Sequence, residues 1–201
     1  MKSLVIACAL AAIACRSPSS RYYTLVQPPS ESTSPPSDLQ LDVLPVDVPA
    51  GVDRAEIVVR DGPGEVTPVE TRSWIAPLPA EIRRALSDGL TRVLGARDIA
   101  GLTPADGSPV VRVKLSVHRF ESELGKRAMI EAVSTVRLAD GGAPLVCAVR
   151  ASEAPRAGYD GLAEAHQRAL SEIATQVATA VRSMRAGSPH CADDKARSAA
   201  Q

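Results

Sequence analysis

Residues 109–152 constrain the fold most. Three consecutive stretches there alternate apolar and polar side chains, the period of two that a strand with one buried face requires. Val111, Val113, Leu115 and Val117 interleave with Arg112, Lys114, Ser116 and His118. Ile130, Ala132, Val136 and Leu138 form a second inward row, and Leu145, Cys147, Val149 and Ala151 a third. Gly125 and the pair Gly141-Gly142 fall between the rows, where hairpin turns need them, so the three strands are expected to be antiparallel neighbours. Such a meander has an apolar face that another layer must cover.

Two helical stripes supply that layer. Leu78, Ile82, Leu86, Leu90 and Val93 recur at three- and four-residue spacing, with Pro79 in the first turn and Gly95 at the stop. Arg83, Arg84, Asp88 and Arg92 fall largely on the opposite face. Leu162, His166, Leu170, Ile173, Val177, Val181 and Met184 mark a second helix over about residues 160–184, ended by Gly187. Ahead of the first helix, Leu39, Leu41 and Val43 read as a half-buried strand and Ile57-Val58-Val59 as another, while residues 61–68 read as a Gly/Pro loop. The expected class is α+β, a mainly antiparallel sheet with two long helices packed on one face. With one Trp and one Phe in a chain that is 45% hydrophobic, the core must be aliphatic. Twenty-three basic residues balance 23 acidic ones, so no net charge draws the chain to nucleic acid.

The amino terminus carries a different signal. Lys2 is followed by an unbroken apolar run over residues 4–14, too short to span a bilayer as a helix. It has the length of a signal-peptide hydrophobic region and ends in Ala12-Ile13-Ala14, directly before Cys15. This resembles a bacterial lipoprotein signal, in which the cysteine is lipidated and becomes the new amino terminus. The chain then divides into a signal peptide (1–14), a lipidated Cys15 with a Pro/Ser-rich tether (15–38), an α+β domain (39–186) and a disordered tail (187–201). Within the tether, residues 26–38 would reach roughly 40 Å if extended as polyproline. No second apolar run approaches spanning length, so membrane attachment would rest on Cys15. An oxidising periplasm permits a Cys147–Cys191 bridge. However, Cys147 reads as a core strand residue and Cys191 as part of a loose tail, which favours two unpaired thiols.

No catalytic constellation can be assembled. His118, His166 and His190 lack metal-ligand spacing, and His190-Cys191 with Asp193 and Asp194 reads as solvated tail. Gly62-Pro63-Gly64 is too short for a phosphate loop, and there is no GxSxG elbow. The expectation is therefore no enzyme, no metal and no cofactor beyond a covalent lipid on Cys15. The basic groups Arg83, Arg84, Arg92 and Lys126-Arg127 read as solvated faces. Trp74, Tyr22 and Tyr23 are the candidates for partner or core contact, with the core favoured for Trp74.

The order of motifs is similar to the PqiC/YmbA family of ABC-type transport auxiliary lipoproteins. The resemblance rests on Cys15, Tyr22-Tyr23-Thr24-Leu25, Val46-Asp47-Val48-Pro49, Ile57-Val58-Val59-Arg60 and Trp74-Ile75-Ala76-Pro77-Leu78. It continues through residues 111–121 and Gly158-Tyr159-Asp160 to the end of the last helix, and departs from the family's pattern in the strand from Ala128 and beyond Met184. It implies a non-catalytic periplasmic lipoprotein that serves an MCE-domain protein of an ABC lipid transporter, assembles as a homo-oligomeric ring and supports envelope integrity. Arg16 in place of Asp after the cysteine implies outer-membrane sorting. The rival readings are an outer-membrane assembly factor resembling LptE-type lipoproteins and, further off, a periplasmic hydrolase.

Overall fold

The computed structural model describes residues 19–28, 34–99, 101–105 and 107–192; the signal segment, Cys15 and the last nine residues lie outside them. The elements run β1 (Arg21–Tyr23), β2 (Gln40–Val43), β3 (Glu56–Arg60), β4 (Val66–Trp74), α1 (Leu78–Leu94), β5 (Arg97–Asp98), β6 (Val110–Glu123), β7 (Arg127–Leu138), β8 (Leu145–Glu153) and α2 (Gly158–Arg185). Five strands form one sheet in the order β5-β2-β6-β7-β8, and three form another in the order β1-β4-β3. The fold is α+β with both helices on one face of the larger sheet, as expected. The antiparallel expectation holds for β6–β7–β8, whereas β2 lies parallel to both β5 and β6, and β1 parallel to β4.

The larger sheet's inward rows meet the helical stripes directly. Val111, Val113, Leu115, Ile130, Val136, Val149, Ile82, Leu86, Leu90, Leu162, Leu170, Ile173 and Val177 are all buried, an aliphatic core. Each such side chain contributes about 1.5–3 kcal/mol through its removal from water. The helices cross where Gly89 faces Ala174: a Cβ added at Gly89 would stand 2.6 Å from the Ala174 Cβ. The outer face of the sheet is polar, with Arg112 bonded to Asp42 at 2.9 Å and Lys114 to Asp47 at 2.8 Å.

A bulge in β6 changes the phase of the alternation. Val117 pairs with Ala132 but Arg119 pairs with Glu131, which leaves His118 unpaired and exposed. Odd-numbered residues face the core before the bulge; after it Phe120 and Ser122 do, because a one-residue slip moves a strand's side chains to the other face.

Four expectations need correction. Residues 61–68 do not form one loop, since β4 begins at Val66. Its apolar residues Val66, Val69 and Trp74 do not recur at a period of two and Pro68 interrupts it, so it lacks the alternation that betrays a strand. Pro68 is tolerated because it pairs with Val58 at a position beyond the reach of β1, where β4 has a single neighbour.

The folded unit begins at Arg21 and not at Leu39, and the 15–38 segment is not a free tether where it is described. Leu25 is 1% exposed. Ser34 Oγ donates to the Val93 carbonyl at 2.6 Å, and Ser37 Oγ reaches the carbonyls of Leu94 and Gly95, both at 3.2 Å. These are the acceptors that the end of a helix leaves without intrahelical partners. The Pro/Ser-rich stretch therefore caps α1. Gly95 permits it by turning left-handed (φ 62°), and any Cβ there would lie 1.9 Å from the Pro35 carbonyl oxygen.

The reading of Arg83 as a solvated side chain also fails. Its Nε donates to the Val43 carbonyl and its Nη2 to Asp98, both at 2.9 Å, so it ties α1 to the sheet edge.

Finally, Cys147 and Cys191 are bridged. Ser183 Oγ donates to the His190 carbonyl and accepts from the His190 N–H, which brings the chain after α2 back beside β8. The start of the expected tail is thus part of the fold. The bridge spans 44 residues, and a loop of that length predicts that Cys191→Ser lowers stability by about 2–4 kcal/mol. Urea unfolding of the variant beside the oxidised parent measures this, and an unchanged midpoint would contradict it.

Candidate functional site

The segment over residues 21–27 is held from three sides. β1 lies parallel to the end of β4, pairing Arg21 with Arg72, Tyr22 with Ser73 and Tyr23 with Trp74. From α1, Glu81 Oε2 accepts the Thr24 hydroxyl at 2.7 Å and the Leu25 N–H at 2.8 Å. From α2, the Gln167 amide donates to the Thr24 carbonyl at 2.9 Å, and the Gln27 amide donates to the Gln167 carbonyl at 3.3 Å. Glu81 is fully buried, yet it lies in the first turn of α1, where the helix dipole favours a carboxylate.

This segment accounts for the two tyrosines. Tyr23 turns inward beside α2, and its phenol is pushed above its ordinary value by burial and by the Asp160 carboxylate. Tyr22 points outward and is 67% exposed. Trp74 is 3% exposed and so is a core residue, standing edge-on to Phe120 at 6.1 Å and to His166 at 6.3 Å. Cys15 lies outside the described residues.

Glu81 and Gln167 are the functional residues that the sequence reading missed. The signal for Glu81 was present, since it sits three residues after Leu78 on the inward stripe. For Gln167 no local signal exists.

The phase change at His118 brings Phe120 and Ser122 against His166. The Phe120 and His166 rings stack at 4.2 Å with 9° between their planes, and Ser122 Oγ lies 2.8 Å from His166 Nε2. A serine and a histidine at that separation invite comparison with a nucleophile and its base. His166 Nδ1 has no hydrogen-bond partner, so no third group orients the ring, and burial pushes its pKa down to about 3. A base that weak gains little from a serine proton, and both residues are buried. The pair instead satisfies two polar groups within the core.

On the far side of β6, Glu121 collects three guanidinium groups: Arg60 at 2.9 Å, Arg119 at 2.9 Å and Arg127 at 3.2 Å. Burial alone would raise its carboxyl pKa, but the hydrogen bonds from Arg119 and Arg60 outweigh it and hold the group below the usual glutamate value. An open cleft of about 470 Å³ lies over this cluster, lined by Arg60, Asp61, Glu123, Lys126 and Arg127. Arg127 also bonds Glu123, so Arg60 and Arg127 face carboxylates of their own fold and fasten β3 and β7 to β6. Among the described residues no group of three His, Cys, Asp or Glu side chains is placed to hold a metal. No described helix is long and apolar enough to cross a membrane.

Two measurements check this geometry. Glu81→Leu leaves the Thr24 hydroxyl and the Leu25 N–H without their acceptor, at a cost of about 2–3 kcal/mol. It should open residues 21–27 to limited proteolysis, whereas Glu81→Gln, which keeps a carbonyl acceptor, should protect them. The second measurement concerns His166. In the unfolded chain this ring takes up a proton near pH 6.5, but in the folded protein not until about pH 3. The unfolded state binds more protons between those values, so stability falls as pH drops from 6.5 toward 3, by at most about 1.4 kcal/mol per pH unit. Urea midpoints across that range should flatten in His166→Leu relative to the parent.

Solved structures share the architecture. A crystal structure of an uncharacterised protein superposes with a TM-score of 0.65 at 15% identity, covering 81% of this chain and 99% of its own. A Xanthomonas campestris protein of the DUF330 family superposes at 0.59 with 18% identity, covering 80% and 92%. At these identities the likeness concerns the fold alone. Among curated proteins, none matches the chain in sequence. The profile of the ABC-type transport auxiliary lipoprotein component matches residues 23–178, from the clamped strand to the last turns of α2. With most of its length inside that match, the chain belongs to the family of ABC-type transport auxiliary lipoprotein components.

Proposed function

We propose that this protein is a lipid-anchored, non-catalytic accessory subunit of an ABC-type system that moves lipid between the two membranes of the envelope. The lipid is carried on Cys15, and the domain faces the periplasm from the outer membrane. Its protein partner is an MCE-domain component of the transporter, and the domain works as a homo-oligomeric ring. The observation that carries this reading is the clamp on residues 21–27, which joins the chain just after Cys15 to both helices. Such a joint transmits the position of an anchor to a folded body, which an anchoring subunit needs and an enzyme does not. The membership in an auxiliary transport family supports the same reading. The hydrolase alternative loses its best pair, since His166 is a weak base buried against Ser122.

Radiolabelled palmitate should enter the protein in cells, and Cys15→Ser should abolish the label; a label that persists in that variant overturns the anchor. Crosslinking in the envelope followed by affinity purification should recover an MCE-domain protein. Deletion should sensitise cells to detergent with normal outer-membrane barrels, and a defect in lipopolysaccharide or barrel assembly would overturn the transport role.

A further inference from the structure

The expected tether promised a domain held some 40 Å from its lipid, but the structure removes most of that reach. Between Cys15 and Arg21 there are five residues, and the strand begins at Arg21. Six Cα–Cα steps span at most about 22 Å when fully extended. The segment cannot be lengthened cheaply from the folded side. Drawing out Thr24 and Leu25 would strip Glu81 of both donors and expose a side chain that is 1% accessible.

Next to that attachment point lie two exposed apolar side chains. Tyr22 is 67% exposed and Ile75 is 65% exposed. Tyr22 stands in register with Ser73, whose side chain points opposite to that of the buried Trp74. Ile75 is two residues beyond Ser73, and its N–H donates to the Tyr23 carbonyl at 2.8 Å. Tyr22 and Ile75 are therefore neighbours on the outward side of the small sheet. Tyrosine is enriched at membrane–water interfaces, where its ring meets acyl chains and its hydroxyl meets headgroups. Val66, also apolar and 53% exposed, lies at the other end of β4. Eight residues of strand place it about 26 Å from Trp74.

We infer that the Tyr22–Ile75 face rests on the bilayer that holds the Cys15 lipid, so that the small sheet docks against the membrane surface. The inference rests on the proposed lipid at Cys15. It makes the domain a body seated on the membrane, with the β3–β4 turn directed away from the bilayer. The occupant is a lipid surface because the attached chain is too short to let this face move far from one. Two interfacial side chains add a further hydrophobic contact beside the lipid anchor.

The full mature lipoprotein tests this. Tyr22→Cys, Ile75→Cys and Val66→Cys variants, each carrying an environment-sensitive fluorophore, are reconstituted into phosphatidylethanolamine/phosphatidylglycerol vesicles with brominated acyl chains. Vesicle flotation is scored first. Labels at positions 22 and 75 should be quenched several-fold more than the label at 66, and Cys15→Ser backgrounds should neither float nor quench. Flotation with equal quenching at all three positions, or with the strongest at 66, overturns the seated orientation and leaves the anchor standing. Failure of the labelled Cys15 protein to float overturns the anchor and the orientation together. Labels at 22 and 75 that are shielded in detergent by a dimer, and stay unquenched in vesicles, would assign the face to a second copy and overturn the inference.

Discussion

One buried carboxylate connects the start of the fold to everything after it. Glu81 sits in the first turn of α1 with no exposure to solvent, where an unpaired charge would be costly. It is accommodated because the helix terminus favours it and because Thr24 and Leu25 donate to one of its oxygens. The cost of removing the peptide segment from Glu81 is what keeps Leu25 in the core and β1 on the edge of β4. Gln167 closes the same segment from α2, so the two helices and the amino-terminal strand form one rigid corner.

That corner reassigns the low-complexity stretch that follows. Proline and serine in such density usually mark chain that has no apolar surface to bury. Here the two ends of the stretch are fixed, by Glu81 and Gln167 on one side and by the carboxyl end of α1 on the other. Ser34 and Ser37 answer the unmet carbonyls of Val93, Leu94 and Gly95, and Arg182 from α2 adds a second donor to Val93 at 2.7 Å. Ser34 and Ser37 thus act as a cap on the carboxyl end of α1.

Much of the domain was legible because its signals are local. The alternation in β6, β7 and β8 and the stripes of α1 and α2 follow from burying one face at periods of two and 3.6, and those elements stand where the pattern put them. β4 was hidden because its side chains face partly to solvent and because a proline interrupts it. The bulge at His118 was hidden because it shifts the phase by one residue without changing composition, yet it decides which of Phe120, Glu121 and Ser122 meets His166. Gln167 gave no sign, since its partners lie about 140 residues away in the chain.

The sequence by itself determined the class of fold, the aliphatic core and the two helices. Each of these depends on side-chain chemistry at short spacing. Tertiary structure decided that residues 21–27 belong to the folded body, that the Cys147 and Cys191 sulfurs meet, and that Trp74 closes the core while Tyr22 stays exposed. Those outcomes depend on which distant backbone groups become neighbours. A buried acceptor such as Glu81 must find its donors wherever the chain brings them, and no local pattern records where that will be.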